Sequence, residues 1–524
     1  MRYIHILVFL LLPSLLAIGQ NAAPAVAITL VDVDEGGGTV VVNYDLADNE
    51  NDACTVRLEA SLDGGSTFVA DVSQVSGDVG AAIAPGTGKS ITWSFGAIAN
   101  IYEATVRVIA DDGHTPDIQA MVDQVTEARM SNLLTDVAIP RHHLTAVAGL
   151  DAIRDTLLNA FTSAGFEVST QSVSHAGGTM PNVIGRQTGL ENAAHTYIVD
   201  AHYDAVSSTM GADDNASGVV ATLEVARILS QYRFRNSLRY IGFSFEEYGM
   251  IGSGQYVQSG IPAWETIAGV LNMEMIGFYS DAPNSQTLPA GFNILFPDAV
   301  AAIEADDFRG NFLTVVGNTA SAPLNASFVS AVDNYVPDLL RIPLSVPGNG
   351  QLAPDLRRSD HSRFWDAGIP ALMLTDASEF RNPNYHTPND IPSTLDIPFL
   401  TRCTKAVLAA AAVLAEPLNA GVDSYDLSQL VGITERSHAL PCKVEVNPNP
   451  SNEVLRIVLG DCAGVQVSAR LFDIRGKKVA GRDLYAKGDG STFELPVKDL
   501  PAGTYLLVLQ AGEGGTTVKV EVAH

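Results

Sequence analysis

The spacing of apolar residues changes character twice along the chain. From residue 22 to about 118 it reads as short strands between turn residues. Val26–Leu30 and Thr39–Tyr44 flank a Gly36–Gly38 turn. Cys54–Ser61 alternates and runs into Asp63-Gly-Gly; Ser90–Trp93 and Ala104–Ala110 follow. Short strands at even spacing between turn signals predict a β-sandwich. From about 122 helical stripes alternate with apolar strands. Asp151–Ala164 and Ser217–Leu229 read as helices, the second with Val220, Leu223, Ala226 and Ile228 near one stripe. Phe166–Val168, Asn182–Ile184, Thr196–Ala201, Leu238–Phe245, Ala268–Met273 and Ala371–Leu374 read as strands. A helix begins at Gly252, and the Ala-rich Phe399–Leu414 is a closing helix. This alternation predicts an α/β domain with a mostly parallel, mixed sheet sandwiched by helices. After a polar stretch the pattern is β again, with Leu455–Leu459, Val467–Asp473, Leu500–Leu509 and Thr517–Val522 forming a second, smaller β-sandwich.

The N-terminus adds a further segment. Arg2 precedes an apolar run, Ile4–Ile18, that ends in small residues at Ala17-Ile18-Gly19. The run falls short of the ~20 apolar residues that a membrane span needs and fits a signal peptide cut near Gly19 or Gln20. No later stretch is read as a span. The expected organisation is a signal peptide 1–20, a β-sandwich 21–118, the α/β domain 122–418, a linker 419–440 and a C-terminal β-sandwich 441–524.

Composition narrows the partners. A net charge of −28 argues against nucleic acid or an anionic membrane surface, both of which need a basic face. An acidic, exported, soluble protein is expected. Cys442 and Cys462 flank one predicted hairpin and could pair in an oxidising compartment; Cys54 and Cys403 are expected to be free. None of the cysteines has metal-site spacing.

The candidate chemistry lies at predicted strand ends, where open α/β sheets build their sites. His202 lies just past one strand, with Asp204 two residues on, able to orient its imidazole. Asp213 and Asp214 precede a helix. Helix capping would account for one of them, which leaves the other for a metal. Glu246 and Glu247 end another strand; one could ligate while the other stays free as a proton acceptor. Glu274 follows an apolar strand, where a carboxylate is costly unless paired or metal-bound. His386 follows Tyr385 in a Pro-containing loop. Neutral imidazoles and carboxylates are zinc ligands, and no Gly-x-Ser-x-Gly elbow points to a serine hydrolase instead.

His202-Tyr-Asp204, Gly211-Ala-Asp-Asp-Asn-Ala-Ser-Gly218, Glu246-Glu247, Ser359-Asp-His-Ser-Arg-Phe-Trp-Asp-Ala-Gly-Ile-Pro370 and Tyr385-His-Thr-Pro-Asn-Asp390 together resemble metallopeptidase family 28, over about 125–418. The resemblance implies a zinc-exopeptidase (phosphorylase/hydrolase-like) fold and a secreted two-zinc aminopeptidase acting on peptides or proteins. It implies that Asp214 bridges two Zn²⁺, that His202 and Glu274 complete one site, and that Glu247 and His386 complete the other. It further implies Glu246 as general base, Tyr385 as hydrogen-bond donor to the oxyanion, Asp204 as the orienter of His202, and a cis peptide at Asp214–Asn215. Three carboxylates and one bridging hydroxide would balance the four positive charges of two Zn²⁺. The position of Glu274 departs from the family pattern, which often has Asp there. Carboxypeptidases and glutaminyl cyclases share the motif, and a cell-surface binding protein on a decayed peptidase fold is the alternative outside enzymes. His361 is expected to serve helix capping and packing.

The N-terminal stretch resembles immunoglobulin-like or fibronectin type III-like modules. Asn447-Pro-Asn-Pro-Ser, Phe472-Asp-Ile-Arg-Gly-Lys and Leu500-Pro-Ala-Gly-Thr-Tyr resemble the sorting domain of the type IX secretion system. That likeness implies Sec export, passage across an outer membrane, and the secretion machinery as a partner.

Overall fold

The structure is a computed structural model that describes residues 21–524 except 35, 64–67, 69–71, 97, 99, 431–442, 461–465, 474–477, 486–490 and 512–513. The expected signal peptide and the Cys442–Cys462 pairing lie outside the described residues. Cys54 and Cys403 are free and buried.

The central domain is built on one eight-stranded mixed sheet. Its strands are β1 (Glu167–His175), β2 (Gly178–Gln187), β3 (Asn192–His202), β4 (Asn236–Phe243), β5 (Thr266–Met273), β6 (Leu313–Asn318), β7 (Arg341–Val346) and β8 (Ala371–Thr375). They lie in the order β7-β6-β8-β5-β3-β4-β2-β1. The middle four, β8, β5, β3 and β4, run parallel. The pairs β1–β2, β2–β4 and β6–β8 are antiparallel.

Both faces of the sheet are covered, and the pleat divides its apolar residues between two cores. Val199, Tyr240, Leu271 and Leu372 face one core, together with helices α1 (Val147–Ser163), α2 (Gly218–Leu229), α4 (Ala322–Tyr335) and α6 (Ile397–Ala415). Ile198, Ile241, Val270 and Met373 face the other, with α3 (Ile251–Ser259) and α5 (His361–Asp366), which supply Tyr256, Phe364 and Trp365. Only Arg227 of α2 escapes full burial, which is why its sequence is apolar nearly all round. Contrary to the expectation from sequence, one later helix, α6, is long and apolar enough to cross a membrane by length and composition. Its alanines instead let it pack closely, with Ala406 to Ala412 buried in the first core.

The N-terminal region forms two antiparallel four-stranded sheets around a core that includes Val40, Tyr44, Trp93 and Val108. One element differs from expectation. Ala420–Asp426, read as linker, is an edge strand beside Thr105–Asp111. Leu427 behind it is fully buried in the same core. A half-exposed edge strand needs little apolar sequence, so Gly-Val-Asp-Ser-Tyr-Asp passed for a loop. The C-terminal region has a three-stranded and a four-stranded antiparallel sheet around Leu455, Ile457, Leu471, Leu507 and Leu509.

Candidate metal centre

The carboxyl ends of the parallel strands bring the singled-out residues together. β3 ends on His202, which is fully buried. β4 runs on into Glu246 and Glu247, and β5 into Glu274. Asp214 lies in the turn between β3 and α2, where the Asp214–Asn215 peptide is cis. His386, with a left-handed backbone, comes in from the loop before α6.

The two oxygens of Asp214 point to two different clusters. His202 Nε2 lies 3.4 Å from Asp214 Oδ1 and 3.4 Å from Glu274 Oε2. His386 Nε2 lies 3.1 Å from Asp214 Oδ2 and 3.1 Å from Glu247 Oε2. Two ligand atoms on one tetrahedral zinc, each about 2.0–2.1 Å away, are separated by about 3.3 Å. The observed edges match that spacing. The His202 edges exceed ordinary hydrogen-bond lengths, and both its ring nitrogens, with Glu247 Oε1, are buried without a hydrogen-bond partner among the described residues. In each cluster the ligand atoms lie within 4.8 Å of one another. The donor set and its spacing fit two ions sharing one carboxylate.

The electrostatics point the same way. Burial opposes charge on His202, but Glu274, Asp204 and Asp214 outweigh it and hold its pKa well above the ordinary value. His386 is likewise pushed up to about 10 against burial by Asp214 and Glu247. Asp214 is buried yet held below the usual carboxylate range by the two imidazoles. Burial, with Asp214 beside it, lifts Glu247 to about 7. Burial also raises Glu246 well above its ordinary value, with Glu274, Asp360 and Glu247 adding to it. This is a pocket with more carboxylate than its imidazoles can neutralise, and it draws positive charge inward.

Neighbouring groups hold these side chains. Asp204 Oδ1 accepts from the Glu246 N–H at 3.1 Å and lies 3.6 Å from His202 Nδ1. Ser359 Oγ donates to Glu274 Oε2 at 2.7 Å. Glu246 Oε2 lies 3.9 Å from His202 Nε2. The Tyr385 ring stacks on His386 at 3.8 Å, and its hydroxyl accepts from Arg358 Nη2 at 3.0 Å. Neither Asp213 nor Asp214 caps α2. The carboxyl of Asp213 accepts from the Gly277 N–H and from Asn382 Nδ2, while Asn215 Oδ1 takes the N–H of Gly218. The capping expectation failed because the turn doubles back, so Asp213 faces the loop after β5 instead of the helix. His361 is buried at the start of α5. Its Nε2 lies 3.0 Å from the Leu356 carbonyl, and its ring packs edge-on to Trp365.

Several contributors were not singled out from the sequence. Arg358 on Tyr385, Ser359 on Glu274, and Asp390, which accepts from the N–H groups of Asp213 and Asp214, are among them. Ser359 and Asp390 lie inside the quoted motifs, which was the available signal. Arg141 lies outside every motif. A cavity opens beside Glu274 and Tyr385, with Phe292, Ile303, Phe312, Ile342, Leu356 and Met373 in its wall.

The chain is similar to known proteins over its central and C-terminal regions. Residues 182–411 match the model of peptidase family M28, and residues 445–523 match the secretion system C-terminal sorting domain. The uncharacterized protein YfbL of Escherichia coli K12 is 30% identical over 291 residues, covering 52% of this chain and 83% of that protein. A protein of Mycobacterium tuberculosis named "Probable lipoprotein aminopeptidase LpqL" is 29% identical over 287 residues, 53% of either chain. Among solved structures, the LapA aminopeptidase of Legionella pneumophila aligns with a TM-score of 0.44 at 20% identity, covering 57% of this chain and 74% of that one. The chain therefore belongs to peptidase family M28, a metal-dependent hydrolase with a C-terminal sorting domain for export through a type IX-like secretion system to the cell surface or beyond.

Proposed function

We propose that the chain is a two-zinc aminopeptidase that removes apolar residues from the N-termini of peptides outside the cell. The observation that carries the reading is the split of Asp214, one oxygen toward His202 and Glu274 and the other toward His386 and Glu247. These five side chains would hold the ions. When bound, the ions supply Lewis acidity and make water acidic near neutral pH. Glu246, raised by burial and free of any ligand cluster, takes the proton of the attacking water and returns it to the leaving amine. Arg358 occupies the Tyr385 oxygen as donor, so the phenolic O–H is free to donate to the developing oxyanion. Asp204 holds the Glu246 backbone in register with His202. The apolar cavity beside Glu274 and Tyr385 receives the side chain of the residue removed. The aminopeptidase named in Mycobacterium tuberculosis supports this direction of cleavage.

In the same reading 1–20 is a signal peptide, 21–118 an immunoglobulin- or fibronectin-like spacer sandwich, 122–418 the peptidase domain and 441–524 the sorting domain.

Zinc analysis of the purified chain, with turnover of leucine p-nitroanilide free and N-acetylated, tests the proposal. Near two zinc ions per chain and cleavage of the free amine alone are expected. Equal cleavage of the blocked substrate overturns the aminopeptidase assignment. Bound zinc without cleavage of either substrate turns the assignment to carboxyl-end or glutaminyl substrates. Neither zinc nor activity leaves a binding protein on a peptidase fold.

A further inference from the structure

Arg141 is fully buried and lies in a segment N-terminal to the 182–411 family match. Both terminal nitrogens of its guanidinium donate to main-chain carbonyls, while Nε is buried without a partner among the described residues. Nη1 donates to Ile139 at 3.1 Å and to Met210; Nη2 donates to Gly211 at 2.7 Å and to Asp214 at 3.3 Å. Its own carbonyl accepts from the Ala205 N–H, just past Asp204. Three of the four acceptors belong to the turn that presents Asp214. The same turn is held from the other side. Asp390, also buried, accepts the N–H of Asp213 on Oδ1 at 2.9 Å and that of Asp214 on Oδ2 at 3.1 Å. The turn is tight between them. Gly211 has φ +54, and a Cβ there would meet the Asp214 carbonyl at 2.2 Å and Arg141 Nη2 at 2.9 Å.

We propose that Arg141 is a positioning residue for the metal centre, a cationic fork that fixes the Met210–Asp214 turn by its carbonyls while Asp390 fixes it by its amides. Packing alone does not account for it. A buried charge without an ion-pair partner costs more than an apolar side chain of similar volume, and among the described residues no carboxylate hydrogen-bonds this guanidinium. What it does instead is aim charge-assisted donors at two levels of one turn, which a planar fork can do and a point charge cannot. Because Asp214 faces both ligand clusters, the turn's position sets both sites at once. The functional unit thus reaches back to Arg141, some 40 residues before the family match begins at residue 182.

This inference rests on the reading of Asp214 as a shared ligand, so zinc binding by the unaltered full-length chain is measured first. If that chain binds no zinc, the metal reading itself fails. If it binds zinc, Arg141→Lys, Asp390→Asn and a control, Arg239→Lys, are titrated with Zn²⁺ against a chelator, and their melting is recorded. Arg239 is a buried arginine of the same domain that donates to Glu265 and Tyr256 and does not touch the turn. Loss of a partner that orients ligands weakens zinc binding by about 10–100-fold, and that loss is expected for Arg141→Lys and Asp390→Asn. Arg239→Lys is expected to lower the melting temperature with zinc affinity unchanged. Zinc affinity of Arg141→Lys within twofold of the unaltered chain overturns the proposal, as does an equal loss in Arg239→Lys. Should Arg141→Lys fail to fold, Asp390→Asn decides: weakened zinc binding supports the clamp, and unchanged binding overturns it.

Discussion

Shortening Glu274 by one methylene gives the sharpest test of the ligand geometry, because this is where the sequence departs from the pattern it resembles. The backbone there is held on both sides. The Glu274 N–H donates to the Leu374 carbonyl at 2.9 Å, and the Met275 N–H donates to Asn215 Oδ1 at 3.2 Å from a left-handed backbone of φ 53°. From that anchor the side chain reaches 3.4 Å from His202 Nε2 and 2.7 Å from Ser359 Oγ. Glu274→Asp withdraws the carboxylate by up to one C–C bond, about 1.5 Å. Its separation from Ser359 then exceeds hydrogen-bond range, and a metal–oxygen bond tolerates only about 0.2 Å. Loss of an outer-shell partner alone costs about 10–100-fold in affinity, or about 1.4–2.7 kcal/mol; withdrawal of the ligand itself costs at least as much. Equilibration against chelator-buffered Zn²⁺, read as zinc per chain, should show one of two ions weakened at least ~10-fold. The other ion should change less, because Glu247 and His386 meet at Asp214 Oδ2, away from residue 274. Two zinc ions held as tightly as in the unaltered chain would refute the reasoning, since the backbone would then be supplying the missing length.

Glu246→Gln removes the proton acceptor without touching either ligand cluster. It should lower kcat by about 10²–10⁴-fold with zinc content unchanged; zinc loss in this variant would show that Glu246 is a ligand instead. Leu427→Ala should destabilise the N-terminal sandwich by about 2–5 kcal/mol in a urea titration, because that side chain is fully buried; an unchanged midpoint would return the segment to linker. His361 is held neutral, its pKa pushed down to about 3 by burial, so the unfolded chain binds a proton there below about pH 6.5 that the folded chain refuses. Its stability contribution is therefore full above pH 6.5 and falls by about 1.4 kcal/mol per pH unit down to about pH 3. His361→Gln, which keeps a donor for the Leu356 carbonyl, should flatten that acid limb relative to the unaltered chain in urea titrations at pH 6.5 and 5; parallel limbs would count against it.

How much of this was legible in the sequence depended on whether a residue's role is local. Among the proposed ligands, His202, Glu247 and Glu274 are legible because each stands at or just past the end of an apolar strand, where a carboxylate or imidazole needs a reason within a few residues of itself; Asp214 and His386 lie in loops and are legible only through the motifs around them. The helix α2 and the strands β3 to β5 are legible by the same token, since their burial is written as apolar runs. Asp213 shows the limit. The acidic pair before a helix suggests a cap, but the partners of Asp213 are Gly277 and Asn382, 64 and 169 residues away, and no local pattern encodes them. Arg141 is the extreme case. Its acceptors are main-chain carbonyls, which every residue carries, so nothing at Met210 or Gly211 marks them as partners of an arginine 69 and 70 residues earlier. Side chains that bind metals announce themselves by type, whereas those that hold the backbone presenting the ligands do not. The strand at 420–426 was missed for a related reason, since only Tyr425 within it packs on the core, and the fully buried Leu427 lies behind it. A site of this kind is therefore read from sequence ligand by ligand, while the accuracy with which those ligands meet is set by residues whose types give no warning.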